Sequence, residues 1–473
     1  MNKIIKYKIH ISMKINRIRV SAIGNKVNLI FFFLLTSIVF FSGCSEAPSL
    51  KTSGKYYTLE YTPSGESEEL QIPFTYTLWV PTEAKTIRGV IVHQHGAGIL
   101  ASEQGAAAAT DLHWQALAKK WDCALLGSSY HVSNDATDMT PGGSELWFDP
   151  RHGSDQAFQN ALAKFAKQTD HQEITKAPWV FWGHSGGGIW SDVMSCLHPE
   201  RVVAIWLRSG SATSFLNRPE FPQPEISKAV YQIPIMGNAG IKEKGRGAYD
   251  GTLTKFHEYR SKGAPIGFAP DPRTGHECGD ARYLAIPYLD ACMALRLPDK
   301  NSTNQTLKPI NMANAWFGSL KDSTAVPAKE FKGNPVDAVW LPNQKVARYW
   351  EEYIKTGAVS DDTPPPSPTN VQVSDQGDLG TKITWDAEAD FESGIRCFVI
   401  LRNGQVLAKV AKNPYGEYGR PLFQSMSYGD TPRPDMPESK MIYMDNTSIN
   451  GLSQKYSVLS VNGVGLKSEP SKD

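Results

Sequence analysis

The chain has little cysteine, no excess of either charge, and no apolar run long enough to span a bilayer; each shortage excludes a class of protein. Six cysteines stand among 473 residues, none in a C-x-x-C pair or alternating with histidine at zinc spacing. Neither a disulfide scaffold nor a structural metal is therefore indicated. Lys plus Arg number 49 and Asp plus Glu 48, a formal net charge of +1, so no global field draws nucleic acid and no such partner is expected. The apolar run from Leu29 to Phe41 falls well short of the ~20 residues that a membrane-spanning helix needs. What is present is the makeup of a packed protein: 41% hydrophobic and 21% charged residues, with 12 Trp, 18 Tyr and 19 Phe. At roughly 100–200 residues per domain, there is room for two or three domains.

The N-terminal segment reads as an address. Lys3, Lys6, Lys8, Lys14, Arg17, Arg19 and Lys26, with no acid among them, precede the apolar run, which closes on Phe41-Ser42-Gly43-Cys44. This predicts a secretion signal over residues 1–43. The block resembles a bacterial lipoprotein lipobox, with Phe41 where leucine is usual. That resemblance implies cleavage before Cys44, diacylglycerol on its thiol, a polar tether over 44–55, and membrane association. Ser45 after the cysteine is, in the same pattern, an outer-membrane signal. With Cys44 acylated, Cys123, Cys196, Cys278, Cys292 and Cys397 remain, an odd number that leaves at least one thiol unpaired. Cys278 and Cys292 are the first pair to test for a bridge; small buried thiols are the alternative.

Asp361-Asp362-Thr363-Pro364-Pro365-Pro366-Ser367-Pro368 can continue neither a helix nor a central strand, and it predicts an extended linker over 361–368 with few core contacts across it. Upstream, over 56–360, β-rich runs (Tyr56 to Tyr61, Phe74 to Val80, Gly89 to Gln94) give way to alternating strand-like and helix-like segments. The strands are expected at Cys123 to Ser128, Trp179 to Trp182, Val202 to Leu207, Ile233 to Gly237 and Pro265 to Ala269. This alternation predicts a mostly parallel, doubly wound α/β sheet. A polar stretch after Leu297 leads to a helix from Gln344 to Lys355, with Trp316 and Phe317 as its anchors to the core. Downstream, over 369–473, Ile383-Thr384-Trp385, Phe398-Val399-Ile400-Leu401-Arg402-Asn403-Gly404 and Tyr456-Ser457-Val458-Leu459-Ser460-Val461-Asn462-Gly463 alternate as all-β sandwich strands do. The segment resembles a fibronectin type III domain, which implies that Trp385 and Tyr456 are structural. The stretch from Lys412 to Lys440 is an extended loop or a binding surface.

The chemistry concentrates at one turn. Trp179-Val180-Phe181-Trp182 is an apolar strand, Gly183-His184-Ser185-Gly186-Gly187-Gly188 a turn, and Ile189, Trp190, Val193 and Met194 open a helix. This is G-x-S-x-G in the strand–turn–helix setting that pushes a serine hydroxyl out over a sheet edge. The N–H of Gly186, at the helix start, is placed to meet an oxyanion. A nucleophilic serine needs a base and the base a carboxylate. His276, in the loop after the last expected strand, supplies the first. Glu243 is the leading acid, with Asp250, Glu220 and Glu225 as alternatives. The segment His93-Gln94-His95-Gly96-Ala97-Gly98 matches the loop that gives a second oxyanion donor, at Ala97. His93 and His95 lack an acidic partner set, so no metal and no cofactor is expected.

Together these motifs resemble an α/β-hydrolase over residues 56 to about 300. The resemblance implies that Ser185 attacks an acyl carbon, His276 shuttles the proton, Glu243 orients the ring, and water releases the acyl group. An exported hydrolase with an appended β module resembles the secreted esterases of polysaccharide-degrading bacteria. That implies an ester substrate, acetyl or aromatic acyl groups on carbohydrate included, with Tyr130, Trp147 and Phe148 as candidate stacking residues near the cleft. A peptidase of the same fold, or a surface-binding protein with an inert hydrolase domain, are the other readings.

Overall fold

In the computed structural model, the described residues are 54–65, 69–96, 105–131, 146–216, 221–300, 306–410, 441–448 and 454–472. The signal segment, Cys44, Ala97, Glu220 and the stretch from Lys412 to Lys440 lie outside them. Eight strands make the central sheet: β1 (Gly54–Tyr61), β2 (Phe74–Pro81), β3 (Val90–Gln94), β4 (Ala124–Tyr130), β5 (Trp179–His184), β6 (Val202–Arg208), β7 (Ile235–Gly240) and β8 (Ile266–Asp271). Their spatial order is β1-β2-β4-β3-β5-β6-β7-β8. β2 runs antiparallel to both β1 and β4, and every pairing from β4 through β8 is parallel. The result is an α/β-hydrolase-like fold with a mostly parallel sheet.

Burial explains the strand compositions. Every residue of β3, β5, β6 and β7 is buried, as a sheet covered on both faces requires, so these strands show mostly apolar sequence without alternation. β1, at one edge of the sheet, alternates between exposed and half-buried residues from Tyr57 onward. The covering helices carry the 3.6-residue period. In α2 (Ser154–Thr169), Phe158, Ala161, Leu162, Phe165 and Ala166 face the core. α1 (Leu112–Lys120) is capped by Asp111, whose carboxylate accepts from the His113 and Trp114 N–H groups. α3 (Gly186–Leu197), a short α4 (Ala212–Phe215), α5 (Gly247–Ser261) and α6 (Arg282–Arg296) follow.

The polar stretch after Leu297 is more ordered than its composition suggests. It forms an antiparallel three-stranded sheet of β9 (Trp316–Ser319), β10 (Thr324–Pro327) and β11 (Val339–Leu341), backed by α7 (Gln344–Thr356). α7 buries Val346, Ala347, Trp350, Tyr353 and Ile354 on one face, and the Trp350 indole N–H donates to the Phe268 carbonyl of β8 at 2.9 Å. Phe317 joins the main core and Trp316 packs against it half-buried.

Beyond the prolines, β12 (Thr369–Asp375), β13 (Thr381–Asp386) and β16 (Ile442–Asp445) form one antiparallel sheet. β14 (Cys397–Arg402), β15 (Gln405–Val410) and β17 (Tyr456–Val461) form another. Ile383, Trp385, Phe398, Ile400, Tyr456 and Val458 share the core between them. The expectation of few contacts across the linker fails. Leu112 of α1 is buried within this second core, a His113 ring nitrogen lies 2.9 Å from the Phe391 carbonyl, and the Lys120 ammonium sits 4.4 Å over the Phe391 ring. Lys119 pairs with Glu388, and Lys345 with Glu392 at 3.0 Å. Residues Leu50–Asp473 consequently form one compact unit. Proline density sets local stiffness; it does not govern whether the surfaces on either side are apolar.

Cys278 and Cys292 are both buried. Cys292 lies inside α6, about 15 Å along the axis from its first residue at 1.5 Å per residue, whereas Cys278 precedes that residue. No disulfide joins the two.

Candidate active site

The serine sits where a glycine would be expected. Ser185 links β5 to α3 with φ 51° and ψ −118°, a left-handed conformation that a side chain adopts only when its surroundings enforce it. The turn is tight because α3 lies almost against the neighbouring loop. A Cβ on Gly187 would stand 2.3 Å from the His95 carbonyl oxygen and 2.4 Å from that of Gln94, so only glycine admits this approach. Behind the turn, the buried Asp192 of α3 accepts from the Ala212 N–H at 2.7 Å and lies 2.9 Å from the Lys255 ammonium. α3 is thereby fixed to α5.

Three side chains from separate strand ends converge. His276 Nε2 is 2.9 Å from Ser185 Oγ, and its Nδ1 is 2.8 Å from Glu243 Oε2. The other carboxylate oxygen, Oε1, accepts from the Ser209 hydroxyl at 2.5 Å. Burial pushes the Glu243 carboxyl up, but hydrogen bonds from His276 and Ser209, with the positive charge of His276 and Arg208, outweigh it and hold the group below its ordinary value. Its two lysine neighbours do not make it a surface residue. It ends the single 3-10 turn Ile241–Glu243 directly after β7, which turns it inward while Lys242 and Lys244 stay exposed. The β7 and β8 loops meet because Gly240 has no side chain: a Cβ there would lie 2.2 Å from the Gly275 carbonyl oxygen.

The other acids lie elsewhere. Asp250 is exposed on α5 and accepts from the Gly245 N–H at 3.1 Å; Glu225 is exposed. Gly186 opens α3 beside the serine, and its N–H is among those at a helix start that have no partner within the helix. Gly96, the last described residue of the His93 loop, abuts the serine, so that a Cβ built on it would be 2.8 Å from Ser185 Cβ. His93 and His95 are buried; burial lowers both well below the ordinary histidine value, and His93 stacks on Trp182 at 4.1 Å. Tyr130, Trp147 and Phe148 are not cleft residues. All three are buried, Tyr130 and Trp147 stack at 4.4 Å, and the Tyr130 hydroxyl is 2.5 Å from that of Tyr76. Tyr130 and Trp147 each cover a face of the other.

No family model matches the chain, and no curated protein matches it. The solved structures to which it is similar include an S-formylglutathione hydrolase from Agrobacterium tumefaciens, at 13% identity and TM-score 0.35, over 51% of this chain and 94% of that one. A ferulic acid esterase aligns at 14% identity and TM-score 0.36, over 51% and 99%. Poly(aspartic acid) hydrolase-1 from Sphingomonas sp. KT-1 aligns at 15% identity and TM-score 0.33, over 48% and 94%.

Three further residues complete the surroundings of the triplet, and the motifs alone did not reveal their part. Ser209, with φ 47°, aims its hydroxyl at Glu243. His184, the variable residue of the G-x-S-x-G turn, is buried with its pKa well below the ordinary value, chiefly through burial; its Nε2 lies 2.7 Å from the His276 carbonyl oxygen and, as the donor there, carries the proton. Arg208 ends β6 completely buried. A charged residue closing an otherwise apolar strand was the one sequence signal available for it.

Proposed function

We propose that the protein is an exported serine hydrolase that cleaves carboxylic esters through an acyl-enzyme. The observation that carries the reading is the unbroken relay Ser185 Oγ to His276 Nε2 at 2.9 Å and His276 Nδ1 to Glu243 at 2.8 Å, on a serine held in a strained turn. In this reading His276 takes the hydroxyl proton as Ser185 Oγ bonds to the acyl carbon, and Glu243 holds the ring and stabilises its cationic form. The tetrahedral oxyanion is met by the Gly186 N–H and, on the adjoining loop, by that of Ala97. His276 then returns the proton to the leaving alkoxide, and a water deprotonated by the same ring hydrolyses the acyl-enzyme.

Within esters, acyl groups carried on carbohydrate are the narrower reading; it rests on the export signal together with an appended β module. The test is turnover by the full chain on acetylated and feruloylated glycans, simple aryl esters and peptide amides. Ester cleavage with amides untouched is the expected result, and cleavage of amides alone would replace the esterase by a peptidase. Anchoring through Cys44 is tested separately. In a lipoprotein-processing bacterium the protein should partition into detergent, and Cys44→Ser should leave it soluble or unprocessed, since stable anchoring needs more than one acyl chain. Soluble release of the unmutated chain would mean plain secretion.

A further inference from the structure

The loop that carries His276 is held from beneath by two buried side chains, and one of them is a cation whose ion pair, with Asp271, is long at 3.9 Å. The Arg208 guanidinium donates through Nε to the Glu277 carbonyl at 3.1 Å and through Nη2 to the same oxygen. Nη2 also donates to Thr274 Oγ1 at 2.7 Å and to the Gly275 carbonyl at 3.3 Å. Nη1 donates to Asn238 Oδ1 at 2.9 Å. The nearest carboxylate in an ion pair with it, Asp271, is 3.9 Å away and already accepts from the Tyr353 hydroxyl and the Arg273 N–H.

A buried guanidinium is costly to desolvate, and an apolar residue of similar volume usually serves packing as well or better. Here most of its donors fall on the four residues Thr274 to Glu277. The carbonyl between them, that of His276 itself, is taken by His184 at 2.7 Å. With the carbonyls of residues 275, 276 and 277 all drawn inward, the peptide planes on both sides of His276 are fixed, and so is the direction of its Cα–Cβ bond.

We propose that Arg208 is a positioning residue for the reaction: from the end of β6 it clamps the 274–277 loop so that the His276 imidazole stays between Ser185 and Glu243. This rests on the serine-hydrolase reading above. The adjacent Ser209 holds the acid, so two consecutive residues at one strand end set the imidazole and its carboxylate partner. A planar, multi-donor fork suits this task and a point charge does not, while displacement of a reacting group by about 1 Å costs on the order of 100-fold.

The experiment compares Arg208→Met, Arg208→Lys and Arg208→Ala with the parent protein. It measures kcat and KM on an aryl ester, the rate of Ser185 labelling by a fluorophosphonate, and thermal unfolding. Arg208→Met should lower kcat about 100-fold with KM within about twofold, labelling should slow in parallel, and lysine should not restore either. Millimolar guanidinium should recover part of the activity of Arg208→Ala, which a merely structural role would not allow. If these variants do not fold, Thr274→Val removes a single acceptor and should lower kcat by about threefold to tenfold, KM again unchanged. Folded Arg208→Met with parental kcat and labelling overturns the inference, as does a loss that follows only the unfolded fraction without guanidinium rescue, or Thr274→Val at parental kcat. Persistent turnover in Ser185→Ala would instead overturn the hydrolase reading, so the two failures are distinguishable.

Discussion

Ser185→Ala and His276→Ala are each expected to lower aryl-ester turnover by about 10⁴–10⁶-fold, and the double variant by little more than either alone, because nucleophile and base act as one unit. Glu243→Gln keeps the shape but loses the charge that fixes the ring, and should cost about 10³–10⁴-fold. Steady-state rates on one substrate check all four proteins, and a fluorophosphonate adduct should map to Ser185 and vanish in Ser185→Ala. An adduct on another serine, or a double variant that loses the product of the single effects, would contradict a Ser–His–Glu relay. The acid also has a pH signature. Its folded-state pKa is depressed, so its contribution to stability is present above the unfolded carboxylate value and lost only as pH falls through the lower folded one. The stability difference between the parent and Glu243→Gln should therefore persist through neutral pH and close only in the acid range, as followed by thermal unfolding.

Removing residues 361–473 should destabilise the rest of the chain, a result opposite to what the proline linker suggests. Truncation after Ser360 uncovers Leu112, buried at 5% exposure in the sandwich core, and re-exposing one such side chain costs about 1.5–3 kcal/mol. It also strips the Phe391 partners from His113 and Lys120. These losses fall on α1, whose capping residue Asp111 forms a buried ion pair with Arg282 at the start of α6. α6 follows the His276 loop, so damage at this interface reaches the site. The truncated protein should melt at clearly lower temperature, or aggregate, and lose small-ester turnover with its fold. Leu112→Asp in the full chain should reproduce the drop by placing a carboxylate in that core. A truncated protein with the parental melting temperature and turnover would show that the interface contributes nothing.

The sequence determined this protein's main architecture through two periodicities and one turn. Largely apolar runs marked β4 through β8 because strands covered on both faces carry few polar residues, and the glycine-flanked Ser185 between a strand and a helix marked the candidate site because few residue types fit that turn. His276 was legible from its place after the last strand of the sheet. The acid was not: Glu243, Asp250, Glu220 and Glu225 differ in sequence only by their loops, and it took the inward rotation of the 3-10 turn after β7 to select Glu243. Arg208, His184 and Ser209 were beyond reach for a related reason, since their partners Thr274, His276 and Glu243 lie 66, 92 and 34 residues away in the chain. The buried state of Tyr130, Trp147 and Phe148 and the docking of the sandwich on α1 were likewise decided in three dimensions. Composition reports what a side chain prefers to touch; only the packed fold determines which surface is there to be touched.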